Sequence, residues 1–562
     1  MLNFIIGRNN SGKTEKIRAL IAERASENKK CILIVPEQFS FESERSILEK
    51  IGAQKMLNVD ILSFTRLAFV INEQYGKALN KTIDDGTRKV LMSLSLEALS
   101  GKLEYFKRFS SKPALLSNLL TFVTELKQCA VTPDEIAEIS GKTGNKSLGK
   151  KLSELSLIAA SYDALVSRSF FDDENLLTIA ADMISETDFF DGKAVYFDAF
   201  CGFTKQERNC IKSILPKAEN VFISLCTDRD LSREGVSVFE NGNSEFSHLK
   251  KCAAEQNVGV SSPEILNVKE DGRSPELVYL EKYLCGEESE PYKEECDNIV
   301  VCAAGNRADE ADFVACEIKK LLRCNPTLRC RNIAVIERTA GTYDKELSES
   351  FKKYGVPMFE DKRRPIGIQP VMVFVKCLLA LCAEGFSTES FMRLLKTGLT
   401  ALSGDEISEL ENYAFLWNID GSKWRRDFTE NPDGLGFDVT EKSQEKLIRL
   451  NDIRKRSVLP VLAFKKDFEE ADGEKKSRLI YEFLIKNGVT ERLREKIEYL
   501  VSSGDTVLCE EQDTVWATLM DMLGKMASAI GETVITAKRY CELFNILLSA
   551  VTLGSLPQEL DS

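Results

Sequence analysis

Three short apolar runs near the N-terminus, Phe4–Ile6, Cys31–Val35 and Val59–Leu62, lack the polar alternation of a half-exposed strand. They read as strands buried on both faces. Helical spacing fills the intervals at Glu15–Ala25 and Phe41–Lys50, so the chain opens β-α-β-α-β, the beginning of a doubly wound parallel sheet. Between residues 84 and 186 the strand pattern disappears. Ala114–Cys129, Pro133–Ile139, Leu152–Leu165 and Asn175–Ile184 have helical periodicity, which predicts a helical insertion. Strands return at Ala194–Asp198 and Asn220–Leu225, around a helix at Lys205–Leu215, and would complete the first sheet. A polar, acidic stretch over 267–298 reads as a linker. A second α/β pattern follows: strands at Ile299–Ala303 and Ile333–Ile336, helices at Ala308–Leu322 and Tyr343–Tyr354. From 370 to 562 the pattern is again almost wholly helical.

The expected organisation is therefore a first sheet domain from 1–83 plus 187–266, interrupted by the 84–186 helices. The start of a second sheet domain follows over 299–369, with its own helical insertion from 370. A length of 562 residues exceeds one hydrophobic core and agrees with several domains. The share of 43% hydrophobic and 29% charged residues is that of an ordinary globular protein. No run of about eighteen apolar residues occurs, so no membrane span is expected, and the N-terminus lacks a signal-peptide pattern. Sixteen cysteines without a C-x-x-C pair, and a single histidine, His248, disfavour both a zinc site of usual spacing and a histidine triad. The thiols suit a reducing compartment, and the cytoplasm is the expected location. The net charge of −13 argues against a basic surface for duplex DNA but not against a local basic groove. The basic clusters Lys362-Arg363-Arg364, Lys423-Trp424-Arg425-Arg426 and Arg454-Lys455-Arg456 suit solvated faces; the second also offers an aromatic among cations.

The first strand runs directly into Gly7-Arg8-Asn9-Asn10-Ser11-Gly12-Lys13-Thr14, which is G-x-x-x-x-G-K-T between a strand and a helix. Glycines let such a loop curl its N–H groups around phosphate. Ser11 lies on the loop, Lys13 would reach the β/γ phosphates, and Thr14 would hold Mg²⁺ with ATP as the cofactor. A P-loop hydrolase also needs an Asp at a strand end for the metal and an adjoining Glu to polarise water. Asp198 closes an apolar strand and suits the metal role, although a turn or N-cap role fits it too. The next residue is Ala199, whose methyl group cannot orient water. Nucleotide binding with little or no hydrolysis is the expectation.

In order and spacing these stretches resemble superfamily 1 helicases of the UvrD type, and more closely the AddB-like subunits of bacterial AddAB helicase–nucleases. The resemblance rests on the P-loop, Val35-Pro36-Glu37-Gln38-Phe39-Ser40-Phe41, Leu62-Ser63-Phe64-Thr65-Arg66-Leu67-Ala68-Phe69, Asp198-Ala199-Phe200 with Phe203-Thr204, Asn332–Arg338 and Phe359–Pro365. It implies two RecA-like domains, the second incomplete, each with a large helical insertion. It also implies a DNA-repair role beside an AddA-like motor protein, with single-stranded DNA from a duplex end scanned for the signal Chi. The positions matching its DNA-contacting motifs are Gln38, Ser40, Phe64, Arg66, Phe69 and Phe203. Aromatics stack on bases, while Arg and Gln pair with base edges. The three phenylalanines equally suit a core under the sheet. Arg338 matches a position that can approach the γ-phosphate, and a structural ion pair fits it as well. The nuclease domain and iron–sulfur cluster of AddB-like chains have no counterpart in this sequence, which reads as a fragment or truncated frame. Two other readings remain: an autonomous P-loop ATPase or small-molecule kinase, and a scaffold with a relic P-loop.

Overall fold

The computed structural model describes residues 1–76, 83–107, 112–169, 173–227, 239–267, 274–283, 290–359, 364–504 and 506–553. Lys362, Arg363, Asp228 and the last residues, Gln558–Ser562, lie outside that set. Six parallel strands form one sheet: β1 (Leu2–Gly7), β2 (Cys31–Ile34), β3 (Val59–Leu62), β4 (Ala194–Phe197), β5 (Asn220–Cys226) and β6 (Glu264–Ile265). Their spatial order is β3-β2-β4-β5-β1-β6. Successive side chains of a strand point to opposite faces, and both faces are apolar here. Phe4, Ile6, Ile32, Ile34, Val195 and Phe197 feed one core. Ile5, Cys31, Leu33, Ala194 and Tyr196 feed the other. Burial on both sides explains why these strands appear in the sequence as unbroken apolar runs.

Helix α1 (Lys13–Ser26) follows β1, and α2 (Ser40–Ile51) follows β2 through a short 3-10 turn, Glu37–Phe39. The helix Phe64–Tyr75 follows β3, and five further helices then precede β4, from Asp85–Ala98 to Asp173–Glu186. The start of one of these, Pro133–Lys142, is fixed by local chemistry: Thr132 accepts from the Glu135 N–H, while the Glu135 carboxylate accepts from the Thr132 N–H.

The helices after residue 370 join the same compact unit as the sheet, which comprises Met1–Lys269 with Ile366–Val551. They pack on the helix Asp85–Ala98. Lys525 Nζ lies 2.6 Å from Asp84 Oδ2. Arg539 donates to Glu97 and to Ser93 Oγ, each at 2.9 Å. Gly86 permits the approach: an added Cβ would stand 2.4 Å from Leu547 Cδ1. Among the described residues no helix is long and apolar enough to cross a membrane.

The other unit, Glu270–Pro365 with Thr552 and Leu553, is smaller. Its helices Arg307–Cys324 and Asp344–Tyr354 share a core of Ala315, Ile318, Phe351 and Val356. The expected strands at Ile299–Ala303 and Ile333–Ile336 are not formed among the described residues, and the second RecA-like sheet expected from the sequence is absent there. The one ladder among the described residues of this unit pairs Arg364–Pro365 with Thr552–Leu553. An apolar run supplies the capacity for a strand, but the strand exists only when a neighbour takes its N–H and C=O groups.

The Asp84 contact gives an acid-sensitive joint. Burial alone would push its carboxyl up, but hydrogen bonds from Lys525 and Thr87 outweigh that and hold it below its ordinary value. A carboxyl depressed in the folded state adds stability above its unfolded pKa, and loses it as pH falls through the folded value. Asp84→Asn should therefore cost up to about 1 kcal/mol at pH 7, and that difference should shrink as pH falls below about 4. Urea denaturation of both proteins across pH checks this.

Candidate nucleotide and nucleic-acid interface

β1 ends at Gly7, and the chain turns back through Arg8–Gly12 before α1 begins at Lys13. Asn10 and Gly12 are left-handed, with φ of 57° and 89°. The Ser11 N–H closes the turn on the Arg8 carbonyl at 3.3 Å. A Cβ on Gly7 would lie 2.3 Å from Ser11 Oγ and 2.9 Å from the Leu266 carbonyl oxygen, so the loop closes only around glycine. Gly12 is the N-cap of α1 and provides no side-chain cap, leaving the first-turn N–H groups facing the loop. Ser11 is 3% exposed and its hydroxyl has no hydrogen-bond partner. Lys13 Nζ donates to the carbonyls of Gly7 at 2.8 Å and Arg8 at 2.7 Å. An uncapped helix start, a buried hydroxyl without a partner and a folded-back ammonium suit a phosphate anion. Thr14, in the first turn of α1, is half-buried.

Asp198 follows β4 directly. Its N–H bonds to the Ile34 carbonyl at 3.1 Å, and its carboxylate accepts from Ser224 Oγ at 2.5 Å. Ser224 lies on β5, which separates β4 from β1. Two strand spacings of about 4.8 Å each therefore put Asp198 roughly 10 Å along the sheet edge from the P-loop. Ala199 is exposed and left-handed, with φ 65°. At the place of a hydrolytic glutamate the chain thus has a methyl group on a strained backbone.

The positions implied by the helicase resemblance follow β2, β3 and β4, which are neighbours in the sheet. Gln38 is exposed in the turn after β2, and Ser40, the first residue of α2, is half-buried. After β3, Ser63 caps the next helix by accepting from the Arg66 N–H at 3.1 Å, and the Arg66 side chain is exposed. Phe69 is half-buried against the core. Phe64 and Phe203 are packed inside it. Phe64 meets Phe197, Phe200 and Phe203 with ring centroids 5.8, 5.5 and 6.2 Å apart. Each is only 6% exposed, so neither presents a face on which a base can stack; the core alternative accounts for both. The surface aromatics here are instead Phe39 and Phe41, the latter 78% exposed, on either side of Ser40. Sequence reasoning passed over them and over Ser224. The signals were an aromatic pair beside Gln38 and a lone hydroxyl within an apolar strand.

Arg338 lies exposed in the smaller unit, beside Glu337, which accepts from the N–H groups of Gly341 and Tyr343. The basic cluster around Trp424 is structural at its centre. The indole is fully buried and donates to Thr388 Oγ1 at 2.9 Å, and Arg454 reaches the Trp424 carbonyl at 3.0 Å. Arg425 and Arg426 remain exposed.

A six-stranded parallel sheet bearing a Gly-Lys-Thr loop after its first strand, elaborated by helical insertions, defines an α/β protein of P-loop architecture. Residues 4–281 match the family model described as "ADDB, N-terminal", and through this N-terminal half the chain belongs to that family. Similarity to curated relatives covers the whole chain. It is 29% identical to the AddB-type subunit of an ATP-dependent helicase/deoxyribonuclease of Acetivibrio thermocellus, over 100% of this chain and 50% of the relative. The corresponding protein of Clostridium acetobutylicum is 29% identical over 100% and 49%, and that of Clostridioides difficile 28% over 100% and 50%. The chain thus spans about half the length of the curated relatives it matches.

The packing separates core from surface at this edge. Phe64→Ala and Phe203→Ala should each cost about 3–5 kcal/mol, whereas Phe41→Ala should stay within about 0.5 kcal/mol of the parent. Equilibrium urea unfolding distinguishes the two classes.

Proposed function

We propose that this chain is the helicase-like part of one subunit of an ATP-dependent helicase–nuclease, acting in recombinational repair of double-strand breaks beside an AddA-like motor. It would guide single-stranded DNA, drawn from a duplex end, across the carboxyl edge of its sheet and scan it for Chi, with MgATP bound but scarcely hydrolysed. One observation carries this reading: the same sheet edge has a phosphate-type loop at β1, and exposed Gln38, Phe39, Phe41 and Arg66 at β2 and β3. The names of the relatives support the assembly and the repair context.

In this reading Lys13 exchanges the Gly7 and Arg8 carbonyls for phosphate oxygens, while Ser11 and the first-turn N–H groups of α1 supply further donors. Thr14 and Asp198 would hold Mg²⁺, which neutralises charge on the phosphates when bound. Ser224 fixes the Asp198 carboxylate. Without a carboxylate at 199, nothing at that position takes a proton from water, and bound nucleotide serves as a structural ligand. On the DNA side, Phe39 and Phe41 present flat faces to bases, Arg66 meets phosphate or a base edge, and Gln38 offers paired hydrogen bonds. Little of the binding energy would depend on net charge, so a chain of −13 can still hold a strand locally.

Calorimetry should detect MgATP binding that Lys13→Ala weakens at least about tenfold, the loss expected when a charge-assisted phosphate contact is removed. Turnover should stay at background with or without DNA. Hydrolysis that is lost with Lys13→Ala would favour an autonomous ATPase instead. Single-stranded oligonucleotide binding, followed by anisotropy, should weaken steeply with salt. Phe41→Ala should cost about 1–3 kcal/mol of that affinity. Absence of binding at low salt would leave a scaffold as the better reading.

A further inference from the structure

The smaller unit contains the sequence of two strands without the ladder of either. Ile299–Ala303 and Ile333–Ile336 have no strand partners among the described residues. Their side chains are the kind a buried sheet consumes, yet Val300, Val301 and Ile336 are 69%, 93% and 91% exposed. Among the described residues only one side of this unit has a helical layer, where Ala315 and Ile318 pack on Phe351 and Val356. Beside that layer is a groove of about 880 Å³, whose walls include Ile318, Ile333, Val335, Leu347, Met358 and Phe359.

We infer that this open face is a strand-acceptor site, and that its occupant is polypeptide bearing Val/Ile-rich strands from the portion of the longer relatives that this chain does not match. Three properties select that occupant. First, an unpaired strand presents a row of N–H and C=O groups that another strand can satisfy along its whole length and a small molecule cannot. Second, the two runs are joined by the helix Arg307–Cys324, a crossover that sets them parallel. A second copy related by a twofold axis would approach antiparallel, whereas an all-parallel sheet covered on both faces calls for further parallel strands with helices of their own. Third, the curated relatives are about twice as long as this chain, so unmatched polypeptide of sufficient length exists in them. The inference stands apart from the DNA and nucleotide reading and fails or holds independently of it.

Hydrogen exchange tests it. In the purified chain, the amides of 299–303 and 333–336 should exchange rapidly while those of β1–β5 stay protected. Co-expression with the unmatched half of the Acetivibrio thermocellus relative should give a co-purifying pair in which both segments gain about a hundredfold protection or more. Ile336→Lys should leave the melting temperature of the chain alone unchanged and abolish co-purification. Protection already present in the isolated chain at high dilution would overturn the inference. Protection that appears only as the isolated chain is concentrated would assign the face to a second copy, and failure of the two polypeptides to associate would remove the proposed occupant.

Discussion

Everything at the candidate site depends on one constraint: a parallel sheet must be covered on both faces. In β1, Ile5 goes to one core while Phe4 and Ile6 go to the other. With both faces closed, chemistry is left only the edge where the strands end. The P-loop leaves β1 there, Asp198 leaves β4, the Gln38 turn leaves β2, and Ser63 with Arg66 follows β3. Helices returning from each strand carry the chain back to the opposite edge, so these loops gather although residues between 7 and 200 separate them in sequence. Ser224 is the one hydroxyl that β5 keeps inside, and its partner is the Asp198 carboxylate.

Local signals made the first sheet readable from the chain alone. Apolar runs without alternation marked β1 to β5, and the glycine spacing marked the turn into α1. β6 escaped because two residues, Glu264 and Ile265, carry no periodicity. The aromatic positions show a different limit. A phenylalanine after a strand has the same side chain whether it packs or stacks, and only the neighbouring rings of Phe197 and Phe200 place Phe64 and Phe203 inside. Trp424 among cations read as a surface feature for the same reason. For Ile299–Ala303 and Ile333–Ile336 the pattern was present, but pairing is a property of two chains of atoms, and the second is missing among the described residues.

The nucleotide end and the aromatic end of the sheet differ in how much preparation they need. At the P-loop the donors are preset: Gly7 and Gly12 fix the turn, and the start of α1 is left uncapped. Lys13 must still release two carbonyls before it can meet an anion. At the other end, Phe39, Phe41 and Arg66 already stand in solvent, where exposed rings cost the monomer something and gain it nothing without a binding partner.

The contact between Asp84 and Lys525 also constrains how the molecule comes into being. Its two residues are 441 positions apart in the chain. At a synthesis rate of about 5–20 residues per second, the helix beginning at Asp85 emerges from the ribosome roughly half a minute to a minute and a half before the lysine that anchors it. Through that interval the face around Gly86 is bare, and a nascent chain with such an unfilled seam is a natural client for chaperones.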